Sequence, residues 1–104
     1  MGRINVSEEK VRALGDPKQI EAHYSDEVTV NHLFAMADEA QSVARTWAKM
    51  PPREKGEFLG QMQQFVADGD ALAEKGALSP LLKDERAKAK AEWSAGKELL
   101  KNLR

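Results

Sequence analysis

Apolar residues recur at alternating intervals of three and four along most of this chain, and no segment alternates apolar and polar residues long enough to form a strand. These intervals keep side chains on one face of an α-helix. Proline and glycine divide the pattern into pieces, most clearly at Pro51–Pro52 and Ser79–Pro80. The sequence therefore predicts an all-α fold, an up-down-up bundle of three long helices with one or two short N-terminal helices.

Capping signals give approximate bounds for these helices. Ser7 is followed by two glutamates, which is typical of a helix start, and Gly15 ends this first piece. Asp16 and Pro17 begin the next piece as N-cap and first helical residue. Residues 25–27, Ser-Asp-Glu, resemble a further start. We expect short helices over about 7–14 and 17–24, and long helices over about 26–49, 52–75 and 80–102.

Gly69 lies on the apolar face of the helix expected over 52–75. A glycine there permits another helix to approach closely, because it has no side chain. Glycine also weakens a helix, and Asp70 directly after it would serve as a new N-cap. The residues alone leave open whether this helix continues through Gly69.

The apolar faces supply candidate core or interface residues. In the helix expected over 26–49 the apolar stripe covers about half of the circumference, which is more than a three-helix bundle of this size obviously needs. Tryptophan and phenylalanine in such stripes are usually core residues, but they would anchor an interface if helices of two chains paired. The candidate stripe consists of Val30, Leu33, Phe34, Ala37, Trp47, Phe58, Phe65 and Trp93.

The sequence contains no recognisable catalytic or metal-binding motif. It has no cysteine, no Gly-x-Ser-x-Gly turn and no glycine-rich phosphate loop after a strand. His23 and His32 form no pair spaced to place two metal ligands on one helical face, and we interpret both as surface residues. We therefore expect a protein that is not an enzyme and that needs no cofactor and no metal.

Charge is unevenly distributed, although the net charge is only −1. Residues 1–82 hold nine Lys and Arg against thirteen Asp and Glu, and residues 83–104 hold seven against four. At 100° per residue, six basic residues of the last helix fall within an arc of about 60°. This candidate basic ridge consists of Lys83, Arg86, Lys90, Lys97, Lys101 and Arg104. It could meet phosphates or an acidic partner, or its basic side chains could simply flank a buried stripe with their heads in water.

The composition indicates an ordered protein outside the membrane. Hydrophobic residues make up 41% and charged residues 32% of the 104 residues, which suits one globular domain. No stretch approaches the roughly 18 apolar residues that would span a bilayer. The first residues lack the apolar segment of a signal peptide. We expect a cytoplasmic location.

Two functions are compatible with these observations. The first is a non-enzymatic protein–protein interaction module, such as a regulator, adaptor, inhibitor or accessory subunit, that acts through its helical apolar stripes. Self-association as a two-fold dimer would be the simplest way to bury the surplus apolar surface. The alternative is a nucleic-acid-binding protein that uses the basic ridge, but the sequence pI of about 6.1 favours the first.

Overall fold

The computed structural model describes Ile4, residues 6–75 and residues 79–103. Its helices are α1 (Glu8–Arg12), α2 (Pro17–Thr46), α3 (Pro52–Glu74) and α4 (Lys83–Lys101), with short 3-10 turns at Trp47–Lys49 and Pro80–Leu82. No strand occurs within these described ranges. The prediction of an all-α bundle with three long helices is therefore confirmed.

Two N-caps predicted from the sequence are present. The Ser7 Oγ accepts a hydrogen bond from the Lys10 N–H at 3.3 Å, at the start of α1. The Asp16 Oδ1 accepts one from the Lys18 N–H at 2.9 Å, at the start of α2. Between them Gly15 has a φ of 76°, a left-handed conformation that glycine adopts at little cost. Gly15 therefore forms part of the turn that joins α1 to α2.

α2 is one continuous helix of 30 residues. The predicted division into separate helices over 17–24 and 26–49 is therefore wrong. Ser25 and Asp26 do not cap a helix: the Ser25 carbonyl accepts a hydrogen bond from the Thr29 hydroxyl at 3.2 Å, and Asp26 is buried in the bundle. Because no glycine or proline follows the first position of α2, its backbone ladder has no break.

The three long helices run up, down and up. α2 and α4 are parallel, because the contacts His23–Ser79 and Asp26–Arg86 lie near the start of both segments and Ala40 meets Gly96 further along both. α3, which lies between α2 and α4 in the sequence, runs antiparallel to both. The contact between Trp47, just after α2, and Phe58, early in α3, requires this direction.

The closest packing is between α2 and α4. A Cβ added at Gly96 would lie 3.0 Å from the Cβ of Ala40 and 3.4 Å from the carbonyl oxygen of Ala37. Ala89, two turns earlier on the same face of α4, is fully buried. Small side chains along this seam let the two helix backbones approach closely, since the interaxial distance follows the size of the side chains at the contact.

α3 packs through larger, aromatic side chains. Ring centroids are 6.1 Å apart for Trp47 and Phe58, 6.3 Å for Phe58 and Phe65, and 5.6 Å for Phe65 and Trp93, at tilted or edge-to-face angles that aromatic pairs favour. α3 continues without a break through Gly69, which is buried against the indole of Trp93. The close-approach alternative for Gly69 is therefore the correct one.

The core lies where the three long helices meet. Its central cluster contains Val30, Leu33, Phe34, Met36, Ala37, Ala89 and Trp93, against which Ile4, Phe65, Leu72 and Ala73 pack. The molecule measures 53 × 20 × 19 Å. Within the described part of the chain, none of the helices combines the length and the hydropathy that a membrane crossing requires.

Candidate protein-binding groove

An open groove lies between α2 and α3. It has a volume of about 490 Å³ and is lined by His32, Met36 and Glu39 of α2 and by Phe65, Asp68, Ala71, Leu72 and Lys75 of α3 and its C-terminal edge. Met36 is buried, and Phe65 and Leu72 are half-buried at its floor. The groove therefore combines an apolar floor with exposed polar walls, which is the usual make-up of a binding surface.

The groove exists because α2 contacts its two neighbours through side chains of different size. The small residues Ala37, Ala40 and Gly96 bring α2 and α4 together. α3 packs through bulky side chains instead, such as Phe65, which lies against the core cluster and against the Trp93 indole of α4. The space left between the two helices is open to solvent above Met36.

The polar residues at the rim of the groove differ between its two ends. Glu39 and Asp68 lie at one end, and His32 and Lys75 lie at the other, because α2 and α3 are antiparallel. The Asp68 carboxylate is oriented by Gln64, whose Nε2 donates a hydrogen bond to Oδ1 at 2.7 Å. The groove therefore has two carboxylates at one end and a lysine beside a histidine at the other.

Exposed apolar side chains continue the groove along α2. Val28 is 70% exposed, and it lies one turn before His32 on the same side of the helix. Tyr24, one turn earlier again, is 46% exposed. Valine and tyrosine exposed next to an open groove enlarge the apolar area that a partner could cover.

A second cluster of polar residues is buried where α2 meets the start of α4. His23, Asp26, Ser79 and Arg86 are all less than 9% exposed. The Asp26 carboxylate forms an ion pair with Arg86, and its Oδ2 accepts a hydrogen bond from the Ser79 N–H at 3.3 Å. Burial lowers the pKa of the Arg86 guanidinium below its ordinary value. This cluster fixes the register between the two parallel helices.

His23 also belongs to this cluster, so its assignment to the surface was wrong. It is fully buried, with its Nδ1 2.6 Å from the Ser79 Oγ and its Nε2 3.4 Å from the Glu27 Oε2. It occupies an inward position of α2, one turn before Glu27. His32, in contrast, is exposed as expected.

The order Ser79, His23, Glu27 is chemically that of a nucleophilic triad, in which a histidine activates a serine. Here the serine is only 1% exposed, and its Oγ already accepts the Leu81 N–H at 3.2 Å as the N-cap of the 3-10 turn. A substrate cannot reach a hydroxyl in this position. We therefore interpret the cluster as structural.

The candidate basic ridge is interrupted. Arg86 is buried against Asp26, which contradicts its place on an exposed ridge: it lies at the edge of the arc that faces α2. The Lys97 Nζ lies 2.7 Å from Asp70 of α3. The Lys101 Nζ lies 3.5 Å from Glu98. Lys83 and Lys90 are exposed, and Arg104 lies outside the described residues.

Most of the candidate stripe lies in the core. Val30, Leu33, Phe34, Ala37, Trp47 and Trp93 are buried, and Phe58 and Phe65 are half-buried. Among these eight residues, Phe65 is the one that also lines the groove. The apolar surface that could serve an interface is therefore carried mainly by residues outside the stripe, such as Val28, Ala71 and Leu72.

Sequence reasoning missed this groove. Its floor residue Met36 is one of many apolar residues on α2, and helix spacing alone does not say which of them borders a gap. The spacing of His32 from Glu39 and of Asp68 from Lys75, seven residues in each case, was a signal that could have placed each pair on one helical face.

The described residues contain no group of three or more His, Cys, Asp or Glu side chains that could hold a metal ion. Comparison of the chain with protein-family models, with curated proteins and with solved structures gives no significant match.

Proposed function

We propose that this chain is a non-enzymatic protein-binding module that holds a protein partner in the groove between α2 and α3. The observation that carries this proposal is the groove itself, whose apolar floor of Met36, Phe65 and Leu72 is open to solvent between charged ends. Grooves of this kind typically accept the apolar face of a helix from a partner.

The position of the other apolar residues supports the same surface. The tryptophans and most of the predicted stripe are used inside the bundle. The exposed Val28 and Tyr24, in contrast, flank the groove on α2. A partner bound in the groove would cover the apolar floor of the groove together with Val28 and Tyr24.

The nucleic-acid alternative has less support. A phosphate-binding surface needs several cations that are directed to solvent together. Arg86 and Lys97 are paired with Asp26 and Asp70 instead. Among the described residues of the ridge, Lys83, Lys90 and Lys101 remain exposed, on a chain with a net charge of −1.

Site-specific photo-crosslinking tests the proposal. A photoreactive phenylalanine analogue replaces Ala71, which is exposed on the wall of the groove, and in a matched control it replaces Ala95, which is exposed on α4. The protein is irradiated in the cells that naturally make it. We expect a defined covalent adduct with a protein at position 71 and little or none at position 95.

The adduct also reports the class of partner through its mass. Equal crosslinking at both positions, or none at position 71, would contradict the proposal. An adduct that nuclease removes would instead favour the nucleic-acid alternative. Circular dichroism of both variants establishes that the bundle is intact.

A further inference from the structure

The polar residues at the rim of the groove are arranged with a regular spacing on both helices. His32 and Glu39 are seven residues apart on α2, and Asp68 and Lys75 are seven residues apart along α3 and its C-terminal edge. Seven residues correspond to about two helical turns, or about 10 Å, so both members of each pair lie on one face. All four residues are exposed.

This spacing makes the groove complementary to itself. If a second copy faces it in the opposite direction, Asp68 of one copy lies opposite Lys75 of the other, and the same contact is repeated by symmetry. Glu39 and His32 are brought together in the same way. One two-fold axis, passing close to Ala71 and Leu72, satisfies both pairs because both have the same spacing.

The residues at the midpoint of each pair permit such an approach. Ala71 lies between Asp68 and Lys75, and Ala35 lies between His32 and Glu39; both alanines are exposed. Small side chains at the centre let two helices come close, and the half-buried Phe65 and Leu72 supply apolar area around them.

We propose that a second copy of this chain covers the groove, bound antiparallel across a two-fold axis at Ala71 so that Asp68 of each copy meets Lys75 of the other. This inference rests on the protein-binding role proposed above and names its partner. The two Asp68–Lys75 contacts set the orientation, and the apolar side chains around Ala71 supply buried area.

Charge exchange at Asp68 and Lys75 tests the pairing. Sedimentation velocity at low ionic strength, where exposed charges are least screened, should detect a dimer of the wild-type chain. Asp68→Lys and Lys75→Asp, each alone, should weaken dimerisation at least about tenfold, because each places like charges together twice. Asp84→Lys, on the exposed start of α4, is the matched control and should leave the dimer unchanged.

Restoration of the dimer is the decisive result. An equimolar mixture of the Asp68→Lys and Lys75→Asp chains should form a heterodimer, and the double variant Asp68→Lys/Lys75→Asp should again form a homodimer. If single exchanges abolish the dimer but neither combination restores it, the proposed pairing is wrong. Far-ultraviolet circular dichroism checks each variant for folding, and the double variant tests the pairing if one single variant does not fold.

The crosslinking experiment separates this inference from the function on which it rests. A wild-type chain that stays monomeric up to millimolar concentration, together with an adduct of a different protein at position 71, would overturn the self-association and leave the protein-binding role intact. No adduct at position 71 in a monomeric protein would overturn both. An adduct of twice the chain mass supports both.

Discussion

Gly69 of α3 lies directly against the indole of Trp93 of α4, so closely that a Cβ at position 69 would overlap the ring. The ring is 1% exposed, and its Nε1 donates a hydrogen bond to the Asp70 Oδ1 at 2.9 Å. Phe65, one turn before Gly69, packs edge-on against the same indole at 5.6 Å. The absence of a side chain at Gly69 therefore makes room for the indole of Trp93 in the core.

Gly69→Ala should destabilise the protein, although alanine is the better helix former. Overpacking at a filled core site costs about 1–3 kcal/mol, which outweighs a gain of about 1 kcal/mol in helix propensity. Gly56→Ala on the same helix is the matched control, since a Cβ there meets nothing within 4 Å. It should stabilise the protein by about 0.5–1 kcal/mol. Urea unfolding of both variants measures the difference, and a gain in stability for Gly69→Ala would contradict the packing described.

Asp26→Ala should be among the most damaging single substitutions. It leaves the buried Arg86 without its counter-ion, which typically costs about 3–5 kcal/mol. The double variant Asp26→Leu/Arg86→Met removes both charges and should recover most of this loss. Arg12→Ala, which breaks an exposed ion pair with Glu8, should cost less than about 0.5 kcal/mol. Denaturant unfolding of Asp26→Leu, Arg86→Met and the double variant completes a double-mutant cycle, and additive effects at positions 26 and 86 would rule out the buried pair.

Ser79→Ala should cost about 2 kcal/mol, because it removes an N-cap and leaves the Nδ1 of buried His23 without its partner. Ser7→Ala removes a similar cap from α1, but this cap is exposed and its loss should cost about 0.5 kcal/mol. Thermal unfolding of the two variants provides the comparison. Equal losses would mean that the contact with His23 contributes nothing.

Asp70 should make stability depend on pH in the acid range. The hydrogen bond from Lys97, and after it the one from Trp93, hold the pKa of Asp70 below its ordinary value. The carboxylate therefore stabilises the fold fully above about pH 5, and this contribution is lost as the pH falls through the lower folded-state pKa. Asp70→Asn should thus reduce stability at pH 7 and have little effect at pH 2. Unfolding at both pH values tests this, and an equal loss at both would exclude a role for the charge.

The helix content could be predicted because it depends on local signals. The caps at Ser7 and Asp16, the proline pair at 51–52 and the Ser-Pro step at 79–80 each act within one turn of the chain. Apolar spacing also identified core residues such as Leu33 and Trp93. These features need no knowledge of which helix faces which.

Long-range contacts explain what the sequence did not reveal. The Ser-Asp-Glu run at 25–27 was interpreted as a helix start because Ser and Asp are common there, but the actual partners of Asp26 lie 53 and 60 residues away at Ser79 and Arg86. His23 was assigned to the surface because neighbouring residues in the sequence reveal no buried partner for it, and a polar side chain is buried only when a partner is available. The groove depends on the distance between α2 and α3, which no single helix encodes.

The parallel pairing of α2 with α4 has a consequence for the order in which the helices can pack while the chain is being synthesised. A growing chain that has not yet reached Ser79 can form the α2–α3 hairpin, but the first turns of α2 then carry His23 and Asp26 without their partners. Only when α4 has emerged from the ribosome do both side chains gain them. Residues 79–86 must therefore be synthesised before α2, the first long helix of the bundle, can pack completely.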